Sequence, residues 1–199
     1  MARLTMRTYR SSTVSDRHEG RSLNALVERS KRGDTGAFEE LTVTYSPEMF
    51  RLAAAMVGPD DAADMVQEAF VSAWRELPRL RDSDRWEAWL RSILMNRCRN
   101  ALRTRSRRPK LVLLDPDGQA TLPHLRHEPM RDVDNRWAMR DALAALRPED
   151  RAVIVLHYLA DLPLRQVASV LGLRLGTVKS RLNAGLRALR AADEEEELA

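Results

Sequence analysis

The sequence predicts an all-α chain made of two small helical bodies joined by a linker. Three observations carry this expectation. Ala, Leu and Arg abound while glycine (8) and proline (9) are scarce among 199 residues, a composition that favours helix over strand. Apolar residues recur at three- and four-residue spacings, and no stretch of useful length alternates polar and apolar with a period of two. Four of the nine prolines (Pro109, Pro116, Pro123 and Pro129) fall in one stretch with Asp115, Asp117 and Gly118, where they forbid a long helix. The chain therefore divides into a disordered tail over 1–20, a first body over 21–108, a flexible linker over 109–133, a second body over 134–191 and an acidic tail over 192–199.

The first body opens on a short helix over Leu23–Arg32, closed by Gly33-Asp34-Thr35, where Asp34 or Thr35 can cap the next helix. That helix runs from about Ala37 to Val57, with Phe38, Leu41, Tyr45, Leu52 and Met56 near helical spacing. Pro47 inside it predicts a kink or break near Ser46. Gly58-Pro59 ends it, and Asp60 and Asp61 put negative charge at the start of a third helix over Asp61–Leu77. Met65, Ala69 and Ala73 form one stripe there, with Val66, Phe70 and Trp74 beside it. After the polar loop Pro78–Asp84, a fourth helix turns Trp86, Trp89, Leu90, Ile93, Leu94 and Ala101 inward. Leu111–Leu114 is an unusual apolar run for a free linker and could dock on a partner surface. In the second body, Trp137, Leu143 and Leu146 mark one helix ended by Arg147-Pro148, and a further helix covers Glu149 to Ala160. Pro163–Leu171 and Gly176–Arg190 follow, separated by a turn at Gly172.

Several function classes are excluded by composition. The single Cys rules out a disulfide framework and a zinc ribbon and suits a reducing cytosol. The longest apolar runs, such as Val153–Leu156, are far too short to span a membrane, and the N-terminus has no apolar core of a secretory signal. A soluble, intracellular protein is expected. His18, His124, His127 and His157 are scattered, and no nucleophile–base or metal-ligand spacing occurs. No catalytic residue, metal site or cofactor is expected.

The strongest local signal is PLRQVASVLGLRLGTVKSRL, from Pro163 to Leu182. Val167, Ala168 and Leu171 face inward on its first helix, and Val178, Leu182, Leu186 and Leu189 on its second. Ala168 is small enough for a close crossing, and Gly172 permits the turn. Lys179, Ser180, Asn183 and Arg187 then share the outer side, offering cationic, hydroxyl and amide groups to a major groove. An ordinary hairpin with a solvated basic face is the plainer alternative, but spacing, turn and face together favour helix-turn-helix DNA binding. A second signal is the basic run Arg97, Arg99, Arg103, Arg105, Arg107, Arg108 and Lys110, with no acid between. Asn96, Arg99, Asn100 and Arg103 form a polar stripe opposite the tryptophans, suited to a nucleic-acid backbone. A third is the acidic face of Asp61, Asp64 and Glu68 with Gln67 beside it, which fits a docking surface better than catalysis. Cys98 lies among arginines that would lower its pKa, although a small packed helix residue is the simpler reading.

In this order, DMVQEAFVSAW, WEAWLRSILMNRCRN, a linker and LRPEDRAVIVLHYLADLPLRQVASVLGLRLGTVKSRL resemble the RNA polymerase sigma factors of the extracytoplasmic function group. The resemblance covers roughly residues 23–107 and 134–190. It implies a first domain that binds the β′ clamp and opens the −10 promoter element, and a second that reads the −35 element and docks on the β flap. Asp61, Asp64, Gln67 and Glu68 would bind polymerase. Trp86, Asn96, Arg99 and Arg103, with the loop Leu80–Asp84, would meet unpaired −10 bases. Thr177, Lys179, Ser180, Asn183 and Arg187 would face the −35 groove. Core polymerase, promoter DNA and an anti-sigma factor are the implied partners, and the cytoplasm the implied location. Arg174 and Ala184 depart from the family pattern, at a helix cap and at a groove-facing position respectively. The competing reading is a helix-turn-helix regulator with a helical sensor or dimerisation module, but such a module has no need of DMVQEAF followed by a Trp- and Arg-rich helix.

Overall fold

A computed structural model of the chain describes residues 16–107 and 139–197. All regular structure among the described residues is helical. The linker expected over 109–133 lies outside them, as do residues 1–15 of the expected tail.

Four helices build the described part of the first body: α1 (Asp16–Lys31), α2 (Thr35–Val57), α3 (Pro59–Glu76) and α4 (Trp86–Arg107). Helix α1 begins before Leu23 and takes in residues 16–20, which composition had placed in a disordered tail. Residues 16–22 hold no apolar residue, so no helical spacing marks this turn in the sequence. The chain then turns at Gly33, whose φ of +91° suits glycine. Asp34 caps α2, its Oδ1 accepting from the Ala37 amide at 3.0 Å and its Oδ2 pairing with Arg29 at 2.8 Å. These donors, the Ala37 amide foremost, hold the Asp34 carboxyl below its ordinary range.

The break expected near Ser46 does not occur, because α2 runs unbroken through Pro47. Proline removes the amide that would serve the Val43 carbonyl four residues back. Val43 is 69% exposed, so water can serve that carbonyl instead. Between α3 and α4 lie two short 3₁₀ turns, Leu77–Arg79 and Ser83–Arg85, with Leu77 and Leu80 buried as anchors.

The core of this body is aromatic at one end and aliphatic elsewhere. Phe38 meets Trp74 at 4.9 Å between ring centroids, and Trp86 packs against Phe38, Tyr45 and Trp89 at 5.7–6.3 Å, mostly edge-to-face. Leu41, Met49, Leu52, Met56, Leu90, Leu94 and Met95 fill the rest. Tyr45 donates to Glu87 at 3.0 Å, and Arg91 pairs with Glu48 and Glu87.

In the second body, residues 139–145 are helical (α5), followed by α6 (Pro148–Ile154), α7 (Leu164–Leu171) and α8 (Leu175–Glu197). The single helix expected over Glu149–Ala160 is an α-helix that widens into a π turn at Val155–Leu159, where the Ala160 amide reaches the Val155 carbonyl. Helix α7 ends at Gly172 in the left-handed region, and the Leu173 amide returns to the Ala168 carbonyl at 2.9 Å. Gly185 lets α6 and α8 cross closely: a Cβ there would sit 2.6 Å from Ile154 Cδ1.

The two bodies pack on one another, with α6 and α7 against α4. Arg151 is buried between them and donates to the Met56 carbonyl at the end of α2 and to the carbonyls of Ala144 and Leu146. Burial pulls its guanidinium below its ordinary pKa. Three backbone acceptors compensate the buried cation in place of an acid.

Candidate nucleic-acid and polymerase interfaces

Helix α8 is divided lengthwise. Val178 and Leu182 are buried, and Leu186 and Leu189 pack against the core. Lys179, Ser180, Asn183 and Arg187 are exposed on the opposite side, with Thr177 half-buried at its edge. Ser180 donates its hydroxyl to the Thr177 carbonyl at 2.9 Å. The Arg174 carbonyl accepts from the Val178 amide at 3.1 Å, so a residue without a side-chain acceptor stands at the helix start. Backbone amides of that first turn are thus left for another acceptor, and DNA phosphates are suitable.

On α4 the expected −10 residues separate. Asn96 is exposed and accepts from Arg99 through its Oδ1. Arg99 is half-buried, and burial first, then Arg103 and Arg181, draws its pKa down. Arg103 donates to Glu149 of α6, its Nε at 3.0 Å. That bond foremost lowers the Glu149 carboxyl below its ordinary range. Trp86 is different: it is 0% exposed, enclosed by Phe38, Tyr45 and Trp89. Burial takes it out of the expected −10 set, because the first turn of α4 aims it at Phe38 and Tyr45 of α2. An aromatic at a helix start carries the same sequence signal whether it faces core or ligand.

The loop before α4 frames a crevice of about 240 Å³, lined by Leu80, Arg81, Asp82, Arg85 and Trp89 and closed by Ser169 of α7. Arg85 donates to the Ser169 hydroxyl at 3.0 Å. Sequence reasoning gave the loop but missed Arg85 and Ser169, whose pairing across 84 positions has no periodic signature.

Helix α3 presents a third surface. Asp64, Gln67 and Glu68 are exposed. Asp61 pairs with Arg105, and Glu68 stands 3.7 Å from Arg97, so the acidic face leans towards the arginines of α4. Beside this face, α3 and α2 enclose an open apolar groove of about 770 Å³ lined by Phe38, Phe50, Val66, Gln67, Phe70 and Trp74. Phe50 and Val71 are 43% and 42% exposed, which for large apolar residues marks an interaction surface. Phe50 lies off the buried stripe of α2, a signal the sequence did contain. Cys98 is buried, which pushes its thiol up to about 12 and makes it inert despite the arginines around it.

Residues 41–108 match the model of sigma-70 region 2, and residues 136–189 match that of sigma-70 region 4. The chain is 32% identical over 184 residues to the RNA polymerase sigma-H factor of Pseudomonas aeruginosa, covering 85% of this chain and 91% of that protein. This chain belongs to the extracytoplasmic function sigma factors of the sigma-70 family. The sigma factor is also 30% identical over 178 residues to the sigma-E factor of Escherichia coli K12, covering 85% of this chain and 92% of the relative. Among solved structures it resembles CnrH in complex with the cytosolic domain of CnrY, with a TM-score of 0.63, 25% identity, and coverage of 87% of this chain and 98% of CnrH. RpoE of Bartonella quintana, bound to the anti-sigma factor NepR, aligns at a TM-score of 0.59 and 23% identity over 79% of this chain and 96% of that one.

Both bodies match, in order, which sets aside the reading as a regulator with an unrelated sensor module. The sigma factor binds core RNA polymerase and directs initiation at specific promoters through −10 and −35 elements. No described helix is long and apolar enough to cross a membrane.

Proposed function

We propose that this sigma factor holds the β′ subunit with Asp64, Gln67, Glu68 and the adjoining α2–α3 groove. The loop Leu80–Arg85, Asn96 and the arginines of α4 meet the −10 element, and Thr177, Lys179, Ser180, Asn183 and Arg187 of α8 meet the −35 element. The observation that carries this reading is the lengthwise division of α8, which leaves base-reading side chains outward while the leucines are committed to packing. The chain acts as a non-catalytic subunit in the cytoplasm, where its polymerase works. Control by an anti-sigma factor is supported by the neighbouring structures solved as complexes with CnrY and NepR.

The packed arrangement belongs to a state not engaged on a promoter. Elements at −10 and −35 lie about 25 base pairs apart, roughly 85 Å of duplex. Bodies joined at Arg85–Ser169 and Arg103–Glu149 cannot reach both. Glu149 occupies on Arg103 the place a DNA phosphate would take.

The acidic face is tested by Asp64→Lys with Glu68→Lys. Placing like charge before a cationic clamp surface should weaken core binding about tenfold or more, with the fold intact by circular dichroism. An unchanged affinity in a titration with core polymerase would overturn the assignment of α3.

A further inference from the structure

The loop that frames the crevice closes its own 3₁₀ turns, but few bonds fix those turns against the rest of the body. Leu77 and Leu80 anchor its entry, but Arg81, Asp82, Asp84 and Arg85 are exposed. Within the loop, the Asp84 amide donates to Asp82 Oδ1 and the Arg85 amide to the Asp82 carbonyl, both at 3.1 Å, and the Trp86 amide donates to the Ser83 carbonyl. Beyond that it is held by other elements. Arg85 reaches Ser169, and that hydrogen bond breaks once the second body leaves for the −35 element. From α1, Asn24 donates its amide to Asp84, and Glu28 accepts from the Ser83 hydroxyl. Glu28 is itself fixed by Lys31 at 2.8 Å. Lys31 first, and Ser83 second, lower its carboxyl below the ordinary range, so it stays an acceptor at neutral pH. Helix α1 lies outside residues 41–108, the stretch that matches region 2.

The geometry points to Asn24 and Glu28 as positioning residues that hold the loop Leu80–Arg85 in the shape that reads the −10 element. This rests on the reading of that loop given above and adds the part that keeps it in register. On an open chain, two hydrogen bonds from one rigid helix are what remain outside the loop to fix its outer turn. A loop free to shift by an ångström or two would still let polymerase bind and the −35 element be read. It would accept wrong −10 bases more readily, because the groups framing the crevice would no longer stand at fixed positions.

The test uses holoenzyme assembled from core polymerase and full-length chain, transcribing a promoter library varied at −10 with the −35 element constant. Glu28→Ala and Asn24→Ala should each compress the preference between the best −10 sequence and its single-base variants by about threefold to tenfold, the worth of one net hydrogen bond. Ser83→Ala and Asp82→Ala, in the loop itself, should do the same. Glu28→Ala combined with Ser83→Ala should be no worse than either alone. Glu28→Gln keeps an acceptor for Ser83 and should restore the wild-type preference. Core affinity and −35 preference should stay unchanged throughout. If the loop variants compress the preference and the α1 variants do not, the positioning role is overturned and the loop reading stands. If neither set moves it, the loop reading fails and the positioning role with it. A uniform fall in transcription with unchanged −10 ratios would reduce α1 to a merely structural helix and also overturn the proposal.

Discussion

A chain carrying Arg85→Cys and Ser169→Cys, bridged by a short cleavable bismaleimide, should lose promoter-directed transcription by about 10²–10⁴-fold and recover it when the bridge is cleaved. The side chains at these positions meet at 3.0 Å across the two bodies. Binding two promoter elements with one chain gains affinity only when both are engaged at once, and that gain vanishes when geometry forbids it. The bridged bodies cannot span roughly 85 Å of duplex. The native chain helps the experiment, because Cys98 is buried, its thiol is pushed up to about 12, and no other cysteine is present. The introduced thiols are therefore the ones that react. Full transcription from the bridged chain would mean that the packed arrangement is compatible with promoter binding.

Trp86→Ala should destabilise the first body by about 3–5 kcal/mol, as truncation of a fully buried aromatic does. For a chain of this length the unfolding midpoint should fall by roughly 6–20 °C. The side chain has 0% exposure and touches three aromatic neighbours, so its removal opens a void that rigid rings fill poorly. Trp86→Phe should be milder, because the buried Nε1 has no hydrogen-bond partner to lose. Thermal unfolding followed by circular dichroism checks both. A Trp86→Ala chain that melts like wild type and yet fails to open promoters would return Trp86 to the DNA surface.

Much of the fold was legible because it depends on local rules. Helix spacing, the Asp34 cap, the Gly172 turn and the division of α8 each follow from residues within a turn or two of one another. Pro47 misled because the cost of a missing amide depends on whether the orphaned carbonyl faces water, and exposure of Val43 is a property of the assembled bundle. Helical spacing turns Trp86 inward and only its place among the −10 contacts fails, because full enclosure of the first turn of α4 depends on where α2 places Phe38 and Tyr45. Contacts between the bodies were hidden for a further reason. Arg151 finds the carbonyl of Met56 across 95 positions, and a backbone acceptor has no residue identity to read. Arg103–Glu149 and Arg85–Ser169 likewise join ordinary surface residues by geometry alone. The candidate site was legible where a helix presents one face, as on α8. It was not legible where a loop is shaped by a distant helix, as Ser83 and Asp84 are by α1.

Base-by-base reading of the upstream element by α8 is most directly tested by transcription with holoenzyme on promoters that differ only at −35. Lys179→Ala and Asn183→Ala should each change which bases are preferred, removing about 1–3 kcal/mol of discrimination at the position they contact. Arg187→Ala, nearer the far end of the exposed face, should lower transcription evenly across sequences and flatten its salt dependence by about one phosphate contact. Identical −35 preferences for wild type, Lys179→Ala and Asn183→Ala would contradict the assignment of α8 as the reading helix.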